Sequence, residues 1–208
     1  MQAATASTFI DVFRPRRAAA GLTYDLVLVV FGSAVIALSA RLWISLPLAI
    51  TPVPITGQTL AILLVGALYG SKRGPATVLL YLAEGAAGLP VFVGGSGGAL
   101  HLLGPTGGYL VGFVLGAFIT GVLSERGWDR RWAMTALAMT LGTIALFVPG
   151  LIWLAFFVGP NNVLIAGLWP FLPGAVIKIA LATALLPQGW KVLYWLDGRE
   201  FAAARRRR

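Results

Sequence analysis

Cysteine is absent from the 208 residues, which excludes disulfides, iron–sulfur clusters and thiolate zinc sites. Histidine occurs once and acidic residues only seven times, with no clustered carboxylates, so neither a metal site nor a cofactor is expected. No Gly-x-x-x-x-Gly-Lys-Ser/Thr motif occurs, so any ATP-driven step needs an ATPase on another chain. Charge is scarce as well. Charged residues make up 11% of the chain, against roughly 25% in soluble domains. A surface so poor in charge must face something other than water.

What is present points the same way. The chain is 58% hydrophobic, with a mean hydropathy of +0.86. Its 26 glycines and 12 prolines suit a membrane bundle, where neighbouring helices satisfy freed backbone groups. The net charge of +9 does not imply nucleic acid, because the basic residues sit in short runs between apolar stretches.

Apolar stretches near the roughly 20 residues a membrane helix needs fall at 24–46, 58–71, 74–87, 109–123, 132–157 and 163–186. They predict an all-α membrane protein of six transmembrane helices, with a turn at Ser71-Lys72-Arg73-Gly74. If both termini are cytoplasmic, one side collects Arg14, Arg16, Arg17, Lys72, Arg73, Arg126, Arg130, Arg131, Lys191, Arg199 and Arg205 to Arg208. Of the 16 basic residues only Arg41 and Lys178 fall outside that set, as the positive-inside rule requires. Residues 1–23 read as a cytoplasmic amphipathic tail rather than a cleaved leader, 24–190 as the membrane domain and 191–208 as a basic cytoplasmic tail. Arg41 and Asp25 read as interfacial anchors. Ser33 and Ala37, four apart on the first span, allow close helix contact, for internal packing or a docking partner.

The segments assigned to the outer side are Leu46–Gln58, Gly88–Gly108 and Gly159–Asn162, all dense in proline or glycine. Irregular backbone at membrane depth persists where it lines a cavity, so these segments mark either a binding site or ordinary loops. A charge at mid-span costs on the order of 3 kcal/mol, which singles out Lys178. Its ammonium wants an anion, either the carboxylate of a ligand or Glu84 in a structural ion pair. Gly94-Gly95-Ser96-Gly97-Gly98 formally fits the serine hydrolase elbow, with His101 as its base. Five positions apart in one loop, this pair makes an intramembrane hydrolase the minor reading against transport.

Four motifs follow in order: Thr51-Pro52-Val53-Pro54-Ile55-Thr56-Gly57-Gln58-Thr59-Leu60, Gly88-Leu89-Pro90-Val91-Phe92, Gly94-Gly95-Ser96-Gly97-Gly98 and Gly104-Pro105-Thr106-Gly107-Gly108-Tyr109-Leu110. This series resembles the BioY family, the biotin-binding S components of energy-coupling factor (ECF) vitamin transporters, over residues 25–190. The resemblance implies an S-component bundle in the bacterial cytoplasmic (inner) membrane that captures biotin from the outer side. It also implies a transmembrane T component and two ATPase subunits as partners, or a homo-oligomer where the protein acts alone. A self-sufficient carrier of another small carboxylate is the alternative. Lys178 would take the biotin carboxylate, while Phe92, Tyr109 and Trp169 wall the rings. Thr56, Gln58, Thr106, Asn161 or the backbone at Gly95, Gly97 and Gly107 would meet the ureido group. The family pattern Pro-Gly-Asp-x-x-Lys becomes Pro173-Gly174-Ala175-Val176-Ile177-Lys178, and Glu84 is a candidate to replace the missing acid.

Overall fold

The computed structural model describes residues 7–15, 17–47 and 50–206, with side chains as far as residue 196. Arg16, Arg207 and Arg208, and the side chains of Arg199, Arg205 and Arg206, lie outside the described residues.

Helix α1 (Ala18–Ser39) is apolar on every side beyond its first two turns, where Asp25 is its one charged residue. Leu22, Leu26, Val27, Val30 and Phe31 stay exposed, while Gly32, Ser33 and Ile36 turn inward. A helix hydrophobic all round whose large residues remain uncovered belongs in lipid. The chain then makes a short antiparallel ribbon, β1 (Trp43–Ile44) with β2 (Ile55–Thr56), pairing Trp43 with Thr56 and Ile44 with Ile55. The ribbon closes the proline-rich loop between its strands.

Helix α2 (Gln58–Ala86) is a hairpin rather than one rod. Gly70 takes φ 84°, ψ −178°, which a residue with a Cβ rarely adopts, and the helix reverses there. Gln58 Nε2 donates to Tyr81 Oη at 2.6 Å although they are 23 positions apart. In a straight helix that separation would be roughly 34 Å. The reversal comes just before the predicted turn, and the arms are residues 58–69 and 71–86. A Cβ on Gly74 would stand 2.9 Å from the Gly66 Cα, so the two arms touch backbone to backbone.

The remaining α-helices are α3 (Ala99–Leu102), α4 (Gly107–Glu125), α5 (Trp132–Val158), α6 (Val163–Gly167) and α7 (Leu172–Arg206). The stretch 163–186, expected as one span, is interrupted. Leu168 leaves the helical region, Trp169–Phe171 forms a 3-10 turn, and α7 starts at Leu172 and continues through residue 191. Pro170 and Pro173 cause the break, because neither has an N–H to carry the helix across the turn. Among the described residues, four stretches are long and apolar enough to cross a membrane: Ala18–Ser39, Gly107–Glu125, Trp132–Val158 and Val163–Leu196.

Helix α4 is the centre of the bundle, held between α2 and α5. A Cβ on Gly66 would meet Thr120 Oγ1 at 2.2 Å, and one on Gly112 would meet the Leu146 carbonyl at 2.3 Å. Small residues thus bring three helices into direct backbone contact, the close approach membrane bundles rely on. Ser33 donates to Glu84 and Ala37 packs on the core, so this face of α1 is used internally.

The hairpin turn, the end of α4 and the start of α1 meet at one end of the bundle. Arg73 bridges Asp11 at 2.5 Å and Asp25 at 3.4 Å, and Arg14 pairs with Asp25 at 2.8 Å. Asp25 is therefore part of an ion-pair network rather than an isolated anchor. Ser71 N donates to Glu125 at 2.8 Å. Phe9 packs edge-on against Trp190 of α7 at 5.6 Å, and Trp190 Nε1 donates to the buried Asp129 at 2.6 Å.

Candidate functional site

The opposite end opens into a cavity of about 550 Å³. Small-molecule sites commonly fall at ~300–1,000 Å³. The loop closed by β1 and β2 supplies Trp43, Ser45, Pro52, Val53 and Thr56, and the α2–α4 connection supplies Phe92, Val93, His101 and Thr106. The helices complete it with Gln58, Thr59, Tyr109, Phe113, Phe147 and, from α7, Ala175 and Lys178. Phe171 of the 3-10 turn closes the aromatic wall, tilted against Tyr109 at 6.4 Å and edge-on to Phe147 at 6.2 Å.

Lys178 is six residues, nearly two turns, beyond the point where α7 resumes after the break, and this puts its ammonium at the cavity. Nζ donates to the Thr56 carbonyl at 2.5 Å and to Thr59 Oγ1 at 2.7 Å. No salt bridge to it occurs among the described residues. An ammonium has three donors, so one N–H and the whole positive charge remain for whatever enters. Glu84 is not its partner. That carboxylate accepts from Ser33 on α1, which replaces the Lys178–Glu84 ion pair considered from the sequence. Ala175 lines the cavity three positions before Lys178, so a methyl occupies the site of the missing acid.

Lys178, Thr56, Gln58, Phe92, Thr106 and Tyr109 all line the cavity. Glu84, Gly95, Gly97, Gly107 and Asn161 do not. A Cβ on Gly97 or Gly107 would run into the backbone carbonyl of Leu89 or Leu102, Gly95 faces Arg41, and Asn161 is exposed in the turn before α6. Trp169 is 61% exposed, and Phe171 takes the place expected of it. Arg41 donates to the Pro90 carbonyl at 2.7 Å, tying the end of α1 to the glycine-rich loop.

The loop over the cavity is built on Phe92, which is 1% exposed and sits above Gly85, where a Cβ would come within 2.0 Å of the ring. His101 stacks on its outer face at 4.9 Å, and Tyr81 meets it edge-on at 5.5 Å. Ser96 Oγ lies 3.3 Å from His101 Nδ1 but donates its proton to the Val93 carbonyl at 2.8 Å. A nucleophilic serine must give that proton to the base, so this pair is not poised for hydrolysis. Among the described residues there is no cluster of metal-ligating side chains.

Sequence reasoning missed Phe171, Phe147, Thr143, Trp43 and His101 as lining residues. His101 carried a signal, being the sole histidine within the glycine-rich stretch, but was weighed only as a base.

Comparison with known proteins agrees with this architecture. The BioY family model matches residues 7–194. The biotin transporter BioY of Rhizobium etli is 38% identical over 171 residues, covering 78% of this chain and 91% of the relative. That of Thermotoga maritima is 40% identical over 144 residues, covering 69% and 83%. The crystal structure of the S-component for biotin from an ECF-type ABC transporter superposes with a TM-score of 0.73 at 30% identity, covering 84% of this chain and 94% of that one.

Proposed function

The chain belongs to the BioY family, and from that premise we propose that it is the membrane component that captures biotin for uptake. The observation that carries the reading is the cavity with Lys178 as its cation and neutral acceptors as that cation's partners. At neutral pH biotin is a carboxylate with an apolar bicycle and a ureido group. A pocket with uncompensated positive charge favours an anion, and in low dielectric that preference is strong. In this reading the carboxylate meets Lys178. Phe92, Tyr109, Phe147 and Phe171 cover the bicycle, and the polar groups of Gln58, Thr56 and Thr106 address the ureido.

The topology belongs to the same proposal. The two arms of α2, taken with α1, α4, α5 and α7, make six spans, with both ends cytoplasmic and the cavity facing out. The basic residues of the network end, Arg14, Arg73, Arg130 and Arg131, support that orientation. Biotin then enters from outside the cytoplasmic membrane under the loops closed by the ribbon and by Phe92. The chain supplies no ATPase motif, so a T component and two ATPase subunits drive release. The protein itself acts as a transporter subunit and not as an enzyme.

The test is equilibrium binding of labelled biotin to the purified full-length protein in detergent, with uptake measured in a biotin auxotroph. Saturable binding displaced by excess biotin, and uptake that depends on co-expressed ATPase subunits, are the expected results. Absence of specific binding would remove the vitamin from the reading. Uptake that is full without the ATPases would remove the partners.

A further inference from the structure

Two hydroxyl relays converge on one strip of backbone beside the cavity. In the first, Gln58 Nε2 donates to Tyr81 Oη at 2.6 Å, and Tyr81 donates to the Val91 carbonyl at 3.2 Å. In the second, Ser96 Oγ donates to the Val93 carbonyl at 2.8 Å and lies 3.3 Å from His101 Nδ1. A carbonyl only accepts, and a hydroxyl has a single proton. Each hydroxyl has therefore given its proton to the loop and can only accept from the other side.

That logic fixes two polarities. Gln58 must present its NH₂ to Tyr81, which leaves Oε1 as the end without a partner among the described residues. His101 must carry its proton on Nδ1, which leaves Nε2 as a lone-pair acceptor. Both residues line the cavity, and neither acceptor atom is among the sealed polar atoms that lack partners. Phe92, between Val91 and Val93, stands between the relays and stacks on the imidazole. Burial holds His101 below its ordinary range, which keeps the ring neutral. The charged groups around this loop are Arg41, bound to the Pro90 carbonyl, Lys178 in the cavity, and Glu84, whose backbone carbonyl accepts from Leu89 N and whose carboxylate is held by Ser33 of α1.

We infer that Gln58 Oε1 and His101 Nε2 form an oriented pair of acceptors that reads a ligand bearing two N–H donors. The inference rests on the proposed ligand and names what selects it. The pair takes the two ureido N–H groups of biotin, and Tyr81 and Ser96 are positioning residues that set its polarity. A site whose acceptors are left unpaired rejects an analogue lacking the donor, so the pair is also the specificity device.

The experiment uses the full-length protein in detergent, with biotin and its two ureido N-methyl derivatives as probes, from pH 5 to 8. Wild type is expected to bind biotin about tenfold or more tightly than at least one N-methyl derivative, since the lost bond leaves a buried acceptor unpaired. Its biotin affinity falls on the acid side, as a second proton turns Nε2 into a donor. His101→Ala should reduce that discrimination, while His101→Gln, with a non-titrating acceptor, should retain biotin binding and flatten the pH profile. Ser96→Ala frees the tautomer and should weaken biotin several-fold with the fold intact by thermal unfolding. If wild type binds biotin but treats the N-methyl derivatives as equals, or if His101→Ala and His101→Gln match wild type at every pH, the acceptor pair is wrong and the biotin reading stands. If wild type does not bind biotin at all, the proposed function fails first and this inference with it.

Discussion

Replacing Lys178 with Met keeps the length of the side chain and removes its charge. Two consequences can be separated. The first is electrostatic: truncating one partner of a desolvated charge pair costs about 2–5 kcal/mol, or roughly 30- to 4,000-fold in affinity. The second is structural, because Nζ also ties the Thr56 carbonyl and Thr59 Oγ1 to α7, joining the ribbon, α2 and α7. Loss of those ties loosens the cavity for any ligand. Biotin methyl ester distinguishes the two, since it has the same rings and no charge. Wild type is expected to prefer biotin over the ester by about 30-fold or more, and Lys178→Met by less than about threefold. Isothermal titration of both ligands against both proteins closes the cycle. If the preference for the acid survives in Lys178→Met, the carboxylate does not lie on this lysine, however much the absolute affinities fall.

Three further outcomes follow from packing and charge. Gly85→Ala drives a Cβ into the Phe92 ring, so biotin binding should weaken, with a stability loss of about 1–3 kcal/mol seen as a lower Tm. An unchanged Kd would mean that Phe92 is no part of the site. Burial raises the Asp129 carboxyl from 3.8 to about 6, so the folded protein favours its protonated form. That stabilisation is lost as pH rises through this window, a penalty of about 3 kcal/mol above it. Asp129→Asn, which retains an acceptor for Trp190, should be the more stable protein at pH 8 in thermal unfolding, and equal stabilities would contradict this. Burial alone would raise Asp11, but hydrogen bonds from Arg73, Ser7 and Thr8 hold it below the ordinary carboxylate range. Its contribution is present at neutral pH and lost in acid, so Arg73→Gln should destabilise by about 1 kcal/mol at pH 7 and less below pH 3.

Much of this was legible in the sequence because the physics is local. A turn at residues 71–74 was visible because Lys72 and Arg73 interrupt two apolar stretches, while the reversal itself falls one residue earlier, at Gly70. Lys178 stood out because an isolated mid-span charge needs a reason. The break at residues 168–171 was hidden, since Leu168, Trp169 and Phe171 are as apolar as a span and only Pro170 and Pro173 mark it. For that reason Phe171 was missed and Trp169, two positions away, was expected instead. Glu84 was unreadable for another cause: its partner Ser33 is 51 positions earlier, and pairing at that range depends on how α1 packs. Glycines were over-read as ligand groups. Gly97 and Gly107 are needed because backbone carbonyls crowd them, and a sequence does not distinguish room for a ligand from room for the chain itself.

The contacts of α7 also determine when the molecule can first work. Lys178 reaches back 122 positions to Thr56, and Trp190 packs on Phe9 at the other end of the chain. Every earlier helix can be in the membrane while the cavity still lacks its cation and its Phe171 wall. During synthesis, therefore, the cavity is complete only once the last helix is made. A chain that stops short of residue 178 has the ribbon and the glycine-rich loop but no cation beneath them.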